Sequence, residues 1–173
     1  MNQLSLHPSL KHCAEFGGEL LRGVRKSARP ISTRLAMHTT LRANGVGSSF
    51  LLPRNATLIR QAIRTLSKRH CVLVYESSVN SNHIHLLTRS RTREGYRFFL
   101  RALSGIIAMR LSGAKKGSGL TQKFWAHRPW SRIVQWGWAF KIACDYVIRN
   151  QKESIGMIAY VPRRSLRKYP LTG

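Results

Sequence analysis

The sequence predicts an α+β domain with an antiparallel sheet and helices packed on it. Three observations carry that reading. Apolar, β-branched runs alternate with helical stripes in the order strand, helix, strand–strand, helix, strand, helix. Two of those strands flank the turn-forming Val79-Asn80-Ser81-Asn82 and so make a hairpin. Hydrophobic residues make up 43% of 173 residues, enough for one core and one domain.

Residues 1–34 read as a basic, partly flexible arm, with a short helix around 15–24. The first strand falls at 36–42 (AMHTTLR), short and partly β-branched. Beyond a Gly/Ser stretch, Asn55 stands where it can cap a helix over 57–69, with the apolar stripe Leu58/Ile59, Ala62/Ile63 and Leu66. Residues 71–77 (CVLVYES) and 83–88 (HIHLLT) are the hairpin strands. A second helix over 92–111 buries Phe99, Leu103, Ile106 and Ile107. It sets Arg93, Arg97 and Arg101 at i, i+4 and i+8 as one basic ridge. A Gly-rich loop carries Lys115 and Lys116; residues 131–135 (SRIVQ) form a further strand and 136–151 the last helix. The domain is assigned to 35–161 and a basic tail to 162–173.

Thirty Lys and Arg against six Asp and Glu give a net charge of +24. Such a surface repels itself unless a polyanion offsets it, and nucleic acid, which releases counterions on binding, is the expected partner. The six carboxylates (Glu15, Glu19, Glu76, Glu94, Asp145, Glu153) are scattered singly, which excludes the clustered acids of a two-metal nuclease or polymerase. Cys13, Cys71 and Cys144 form no CxxC, so a zinc site or disulfide framework is not expected and a cytoplasmic, soluble protein is. No apolar run reaches the ~20 residues of a membrane span, and no signal-peptide core is present.

Two places can carry chemistry. On a strand, His83 and His85 share one face, where two imidazoles can chelate a cation if a third ligand joins them. The bland alternative is two polar histidines on a half-exposed strand. On the last helix, Phe140, Ala143/Cys144 and Val147 make the buried stripe, and Tyr146 lies off it with Asn150 four residues on, on the same flank. A tyrosine can form a covalent intermediate and a metal can stabilise charge on a phosphoryl oxygen. Together in a basic, acid-poor chain they suggest a one-metal phosphotransfer site. Lys123, Arg128 and Arg132, with the arginine ridge and Lys115/Lys116, are candidate phosphate contacts. Trp125 and Trp130 are candidate base-stacking groups, and of Trp136 and Trp138 at least one is expected in the core.

Asn82-His83-Ile84-His85-Leu86-Leu87 resembles the histidine motif of the single-tyrosine HUH transposases, which serve small bacterial insertion sequences and include the REP-associated tyrosine transposases. Asp145-Tyr146-Val147-Ile148-Arg149-Asn150 resembles their helical tyrosine motif, and 37–42 resembles their first strand. The likeness spans roughly residues 35–160. It implies a ferredoxin-like core and a Mg²⁺ or Mn²⁺ cofactor held by His83 and His85, with Asn150 as third ligand. It also implies Tyr146 as nucleophile and single-stranded DNA, often with a hairpin, as substrate. Where the family continues with a Pro-containing turn, this chain reads Gln151-Lys152-Glu153, so Gln151 is an alternative to Asn150. Family members act as homodimers or as monomers, and either state is expected. The competing readings are a non-catalytic nucleic-acid-binding module of the same fold and a basic RNA-binding protein.

Overall fold

The computed structural model describes residues 15–21, 27–45, 49–113 and 123–160. Its strands are β1 (Glu15–Phe16), β2 (Ala36–Arg42), β3 (Val72–Val79), β4 (His83–Ser90) and β5 (Trp130–Val134). Its helices are α1 (Pro53–Arg69), α2 (Arg93–Ser112) and α3 (Trp138–Ser154). The sheet runs β1-β5-β2-β4-β3, and every neighbouring pair is antiparallel. With β1 set aside, β2-α1-β3-β4-α2-β5 is a βαββαβ unit whose first and third strands lie at the centre, which is the ferredoxin-like arrangement expected from the sequence.

Alternation along the central strands divides the molecule into two layers. Met37 and Leu41 of β2 and Ile84 and Leu86 of β4 face α1 and α2, where they join Ile59, Ile63, Tyr96, Phe99, Leu103 and Ile107 in the main core. The other face packs against α3 through a thinner cluster of small side chains, Ala36, Leu87, Val134 and Ala143. A bulge at Tyr75, between the pairs Val74↔Thr88 and Glu76↔Leu87, accompanies that second layer. The Tyr75 ring meets Phe140 of α3 edge-on at 5.0 Å. At the far end of α3, Gln151 Oε1 accepts from the Val79 N–H at 3.0 Å and Ser154 Oγ donates to the Val79 carbonyl at 3.1 Å. The helix is therefore tied at both ends to β3, which fixes where its middle turn lies on the sheet.

Several boundaries differ from expectation. α1 begins at Pro53, not after Asn55, because proline is preorganised for a first helical turn and needs no donor there. Asn55 is buried inside that turn and donates to the Ser49 carbonyl at 2.8 Å. α2 begins as anticipated, with Thr92 Oγ1 accepting from the Gly95 N–H. α3 starts two residues later than read, after Gly137, whose φ of 84° suits glycine alone.

The helix read around 15–24 is not formed at its start. Glu15–Phe16 is instead an edge strand on β5, followed by a single 3₁₀ turn at Gly18–Leu21. Two local features hold it there. Gly17 has φ 89°, and a Cβ at that position would lie 2.2 Å from the Pro129 carbonyl oxygen, so no other residue fits. The Arg29 guanidinium stacks 4.6 Å over the Phe16 ring and donates to the Pro129 carbonyl and to Ser131 Oγ. The remainder of the arm (1–14 and 22–26) and the tail beyond residue 160 lie outside the described residues. Among those described, no helix is long and apolar enough to cross a membrane.

Candidate active site

The face of the sheet that α3 covers carries the candidate residues. In β2, the residues on that face are His38, Thr40 and Arg42, alternating with the core residues. The register sets Thr40 opposite His85 and Arg42 opposite His83 across β4, and His38 opposite Arg132 and Thr40 opposite Trp130 across β5. Three adjacent strands thus present His38, Thr40, Arg42, His83, His85, Trp130 and Arg132 together.

The two motif histidines stand side by side, with ring centroids 4.9 Å apart. His83 Nδ1 meets Asn82 Oδ1 at 2.9 Å. His85 Nδ1 meets Thr40 Oγ1 at 3.0 Å and His38 Nε2 at 3.3 Å. On both rings the Nδ1 edge is engaged by the protein, so Nε2 is the nitrogen with which each would bind a cation. Tyr146 comes in from α3, with its ring 5.3 Å from His85 and 5.6 Å from His38, edge-on to both. One turn further on, buried Asn150 donates from Nδ2 to the Tyr146 carbonyl at 2.7 Å. The geometry brings the Tyr146 ring of the last helix to His85 of the hairpin and His38 of β2.

A cleft of about 860 Å³ opens beside this group. Arg42, Arg128 and Arg132 supply its positive charge, Trp130 and Tyr146 its aromatic surface, and Ile142 and Ala143 of α3 one wall. Glu15, Gly18, Glu19 and Leu20 also line it, with Glu19 Oε1 4.0 Å from His127 Nε2. Among the described residues, no group of three or more His, Cys, Asp or Glu could hold a metal ion, so any cation bound by His83 and His85 needs an oxygen donor of another kind. Asn150 sits one turn beyond Tyr146 with its Nδ2 on the Tyr146 carbonyl, and the Gln151 oxygen accepts from the Val79 N–H.

Of the residues singled out from the sequence, Tyr146, His85, Arg128, Trp130 and Arg132 line the cleft. The ridge Arg93, Arg97 and Arg101 is exposed on α2, in the layer on the other side of the sheet, and contributes nothing to the cleft wall. Lys123 is exposed outside the cleft. Trp125 packs against Phe50 and Phe124 and donates to the Ser104 carbonyl at 3.1 Å, which makes it a core-edge residue. Lys115 and Lys116 lie outside the described residues. Neither Trp136 nor Trp138 is buried; Trp138 is 73% exposed.

Sequence reasoning passed over His38, Thr40, Arg42 and His127. The first three had a signal, polar residues at i, i+2 and i+4 of a strand whose intervening residues include apolar Leu41. His38 is 5% exposed, and burial together with the Arg132 guanidinium holds its pKa down at about 4. In the unfolded chain the same ring takes a proton near pH 6.5. Protons therefore favour unfolding between those values. The stabilising contribution is complete above the unfolded value and is lost as pH falls through about 4. In metal-free protein this costs roughly 3 kcal/mol. His85, Tyr146, Trp130 and Arg132 are the polar and aromatic groups facing it from β4, α3 and β5. Urea unfolding at about pH 7.5 and about pH 4.5 should show a smaller loss of stability in His38→Gln than in the parent chain; equal losses would remove His38 from the account.

No protein-family model matches the chain, and no curated protein matches it. Among solved structures, a REP-associated tyrosine transposase bound to a REP hairpin aligns with a TM-score of 0.60 and 16% identity over 78% of this chain and 76% of that one. A candidate transposase from Deinococcus radiodurans R1 aligns with a TM-score of 0.44 and 17% identity over 73% of this chain and 98% of that one. The first of these likenesses shows a shared fold: the chain has the α+β architecture of a tyrosine transposase.

Proposed function

We propose that this protein is a metal-dependent single-tyrosine HUH transposase that cleaves and rejoins single-stranded DNA. One observation carries the reading: the Tyr146 ring stands against His85 on the wall of a basic, aromatic cleft. The fold shared with a transposase bound to a DNA hairpin supports it. So does the charge of +24, which suits a polyanionic substrate.

In this reading Tyr146 Oη attacks the scissile phosphorus. The P–Oη bond forms, the P–O3′ bond breaks, and the 3′ oxygen takes up a proton and leaves as a hydroxyl, while the phenolic proton is released. The 5′ end stays on Tyr146 as a phosphotyrosine until a 3′-hydroxyl attacks it and restores a phosphodiester, so no nucleotide cofactor is consumed. His83 and His85, with Asn150 or Gln151, would hold a Mg²⁺ or Mn²⁺ ion, which would supply charge neutralisation at the phosphate when bound. Arg42, Arg128 and Arg132 bind the flanking backbone, and Trp130 stacks on a base. A cytoplasmic location and a single-stranded segment beside a hairpin belong to the same proposal, and the enzyme acts as a monomer or a homodimer.

The test is incubation with end-labelled hairpin-bearing single-stranded DNA and Mn²⁺, followed by denaturing electrophoresis and peptide mapping. A denaturant-resistant adduct on Tyr146 is expected. Tight DNA binding with no adduct would instead favour the non-catalytic binding module, and preference for RNA over DNA in competition would favour the RNA-binding reading. Binding should also weaken with salt. Three cleft arginines at ~0.7 counterion each give a slope of about −2 in log affinity against log salt. Titration of fluorescent single-stranded DNA at several salt concentrations measures it, and a flat response would exclude phosphate-dominated binding.

A further inference from the structure

His38 has no part in the chemistry above, yet it stands at the centre of the site. Three rings surround its imidazole, with centroids at 5.3 Å (Trp130), 5.4 Å (His85) and 5.6 Å (Tyr146). Its Nε2 is 3.3 Å from His85 Nδ1, while its own Nδ1 is buried with no hydrogen-bond partner among the described residues. Leaving a buried polar atom unsatisfied costs about 1–3 kcal/mol, and a phenyl ring of similar size would fill the same space without that cost. The imidazole is therefore placed for what its Nε2 does.

We propose that His38 is a positioning residue that accepts a hydrogen bond from His85 Nδ1–H and so keeps the His85 lone pair on Nε2, the nitrogen that meets the cation. The proposal rests on the reading of His85 as a metal ligand. Thr40 Oγ1 lies on the same Nδ1, so the two acceptors share one proton and fix the ring plane between them. With His38 accepting at Nε2, its proton sits on Nδ1, the atom without a partner. The unsatisfied donor is the consequence of making the other nitrogen an acceptor. Asn82 Oδ1 plays the matching part on His83, so each motif histidine has its own orienting group.

The experiment uses the full chain in three forms: wild type, His38→Phe and His38→Gln. Phenylalanine keeps the ring but offers no acceptor, whereas the glutamine side-chain oxygen reaches about as far as Nε2. Ring-nitrogen NMR on metal-free wild type should show the His85 proton on Nδ1. A proton on Nε2 would overturn the proposal whatever the activity. Mn²⁺ affinity, followed by the electron paramagnetic resonance of the free ion, should fall roughly 10- to 100-fold in His38→Phe and largely recover in His38→Gln. Both variants should unfold in one cooperative transition, which separates a loss of metal affinity from a loss of folding. If wild type forms the tyrosine adduct while His38→Phe binds Mn²⁺ as tightly as wild type, the positioning role fails and the transposase reading stands. If wild type neither binds Mn²⁺ nor forms an adduct, the transposase reading fails and the proposal falls with it.

Discussion

Tyr146→Phe is expected to abolish the covalent DNA adduct while DNA affinity stays within about twofold, a loss of cleavage of at least ~10³-fold. The substitution removes one oxygen and leaves the ring. The edge-on contacts with His85 and His38 are made by that ring, at 5.3 and 5.6 Å, and they persist. Asn150 Nδ2 donates to the backbone carbonyl of residue 146, and that contact persists as well. The arginines that line the cleft are untouched. The variant therefore tests the proposed nucleophile with the ring contacts and the charge of the cleft in place. Denaturing gels measure the adduct and fluorescence anisotropy the binding. Cleavage by the variant at the wild-type rate would show that Tyr146 is not the attacking group.

The largest effect on stability is expected at Phe99. Its side chain is fully buried in the main core, on the face of α2 that meets the sheet, among Ile59, Ile63, Ile84, Leu86 and Leu103. Phe99→Ala removes the ring and leaves a cavity that rigid neighbours fill only in part, at a cost of about 3–5 kcal/mol. That is a large fraction of the roughly 5–15 kcal/mol that stabilises an ordinary domain. At about 2–4 °C per kcal/mol for a chain of this size, the midpoint should fall by roughly 10 °C. Its neighbour Phe98 is 53% exposed, and Phe98→Ala should change stability by no more than about 0.5 kcal/mol. Thermal unfolding of the pair checks the layer assignment, and similar midpoints would contradict it.

The hairpin and the second helix were legible because local signals specify them. A continuous apolar run around an Asn/Ser turn has few other solutions, and Thr92 caps α2 with its own side chain. The sequence also put Tyr146 and Asn150 on one flank of a helix and His83 and His85 on one face of a strand. Local pattern did not contain the order of the strands, which came only with the family resemblance, because the pairing of β2 with both β4 and β5 is a long-range choice. For that reason His38 and Arg42 were missed, since their partners come from β4, β5 and α3. For the same reason the place of the candidate phosphate contacts Arg93, Arg97 and Arg101 relative to the cleft was open: periodicity shows that three arginines share a side of the helix, not which side of the sheet the helix covers. β1 was illegible on other grounds. Two residues carry no periodic signal, and the segment is held by Gly17 against Pro129 and by Arg29 from farther along the chain.

Strand β2 threads between two tasks, giving Met37, Thr39 and Leu41 to the interior and His38, Thr40 and Arg42 to the cleft. A point change in that stretch disturbs one set and spares the other, so core and chemistry can drift separately as long as the chain length there is fixed. Loss or gain of one residue is a different event, since it exchanges the two sets outright. Six consecutive residues thus tolerate re-spelling far better than re-spacing.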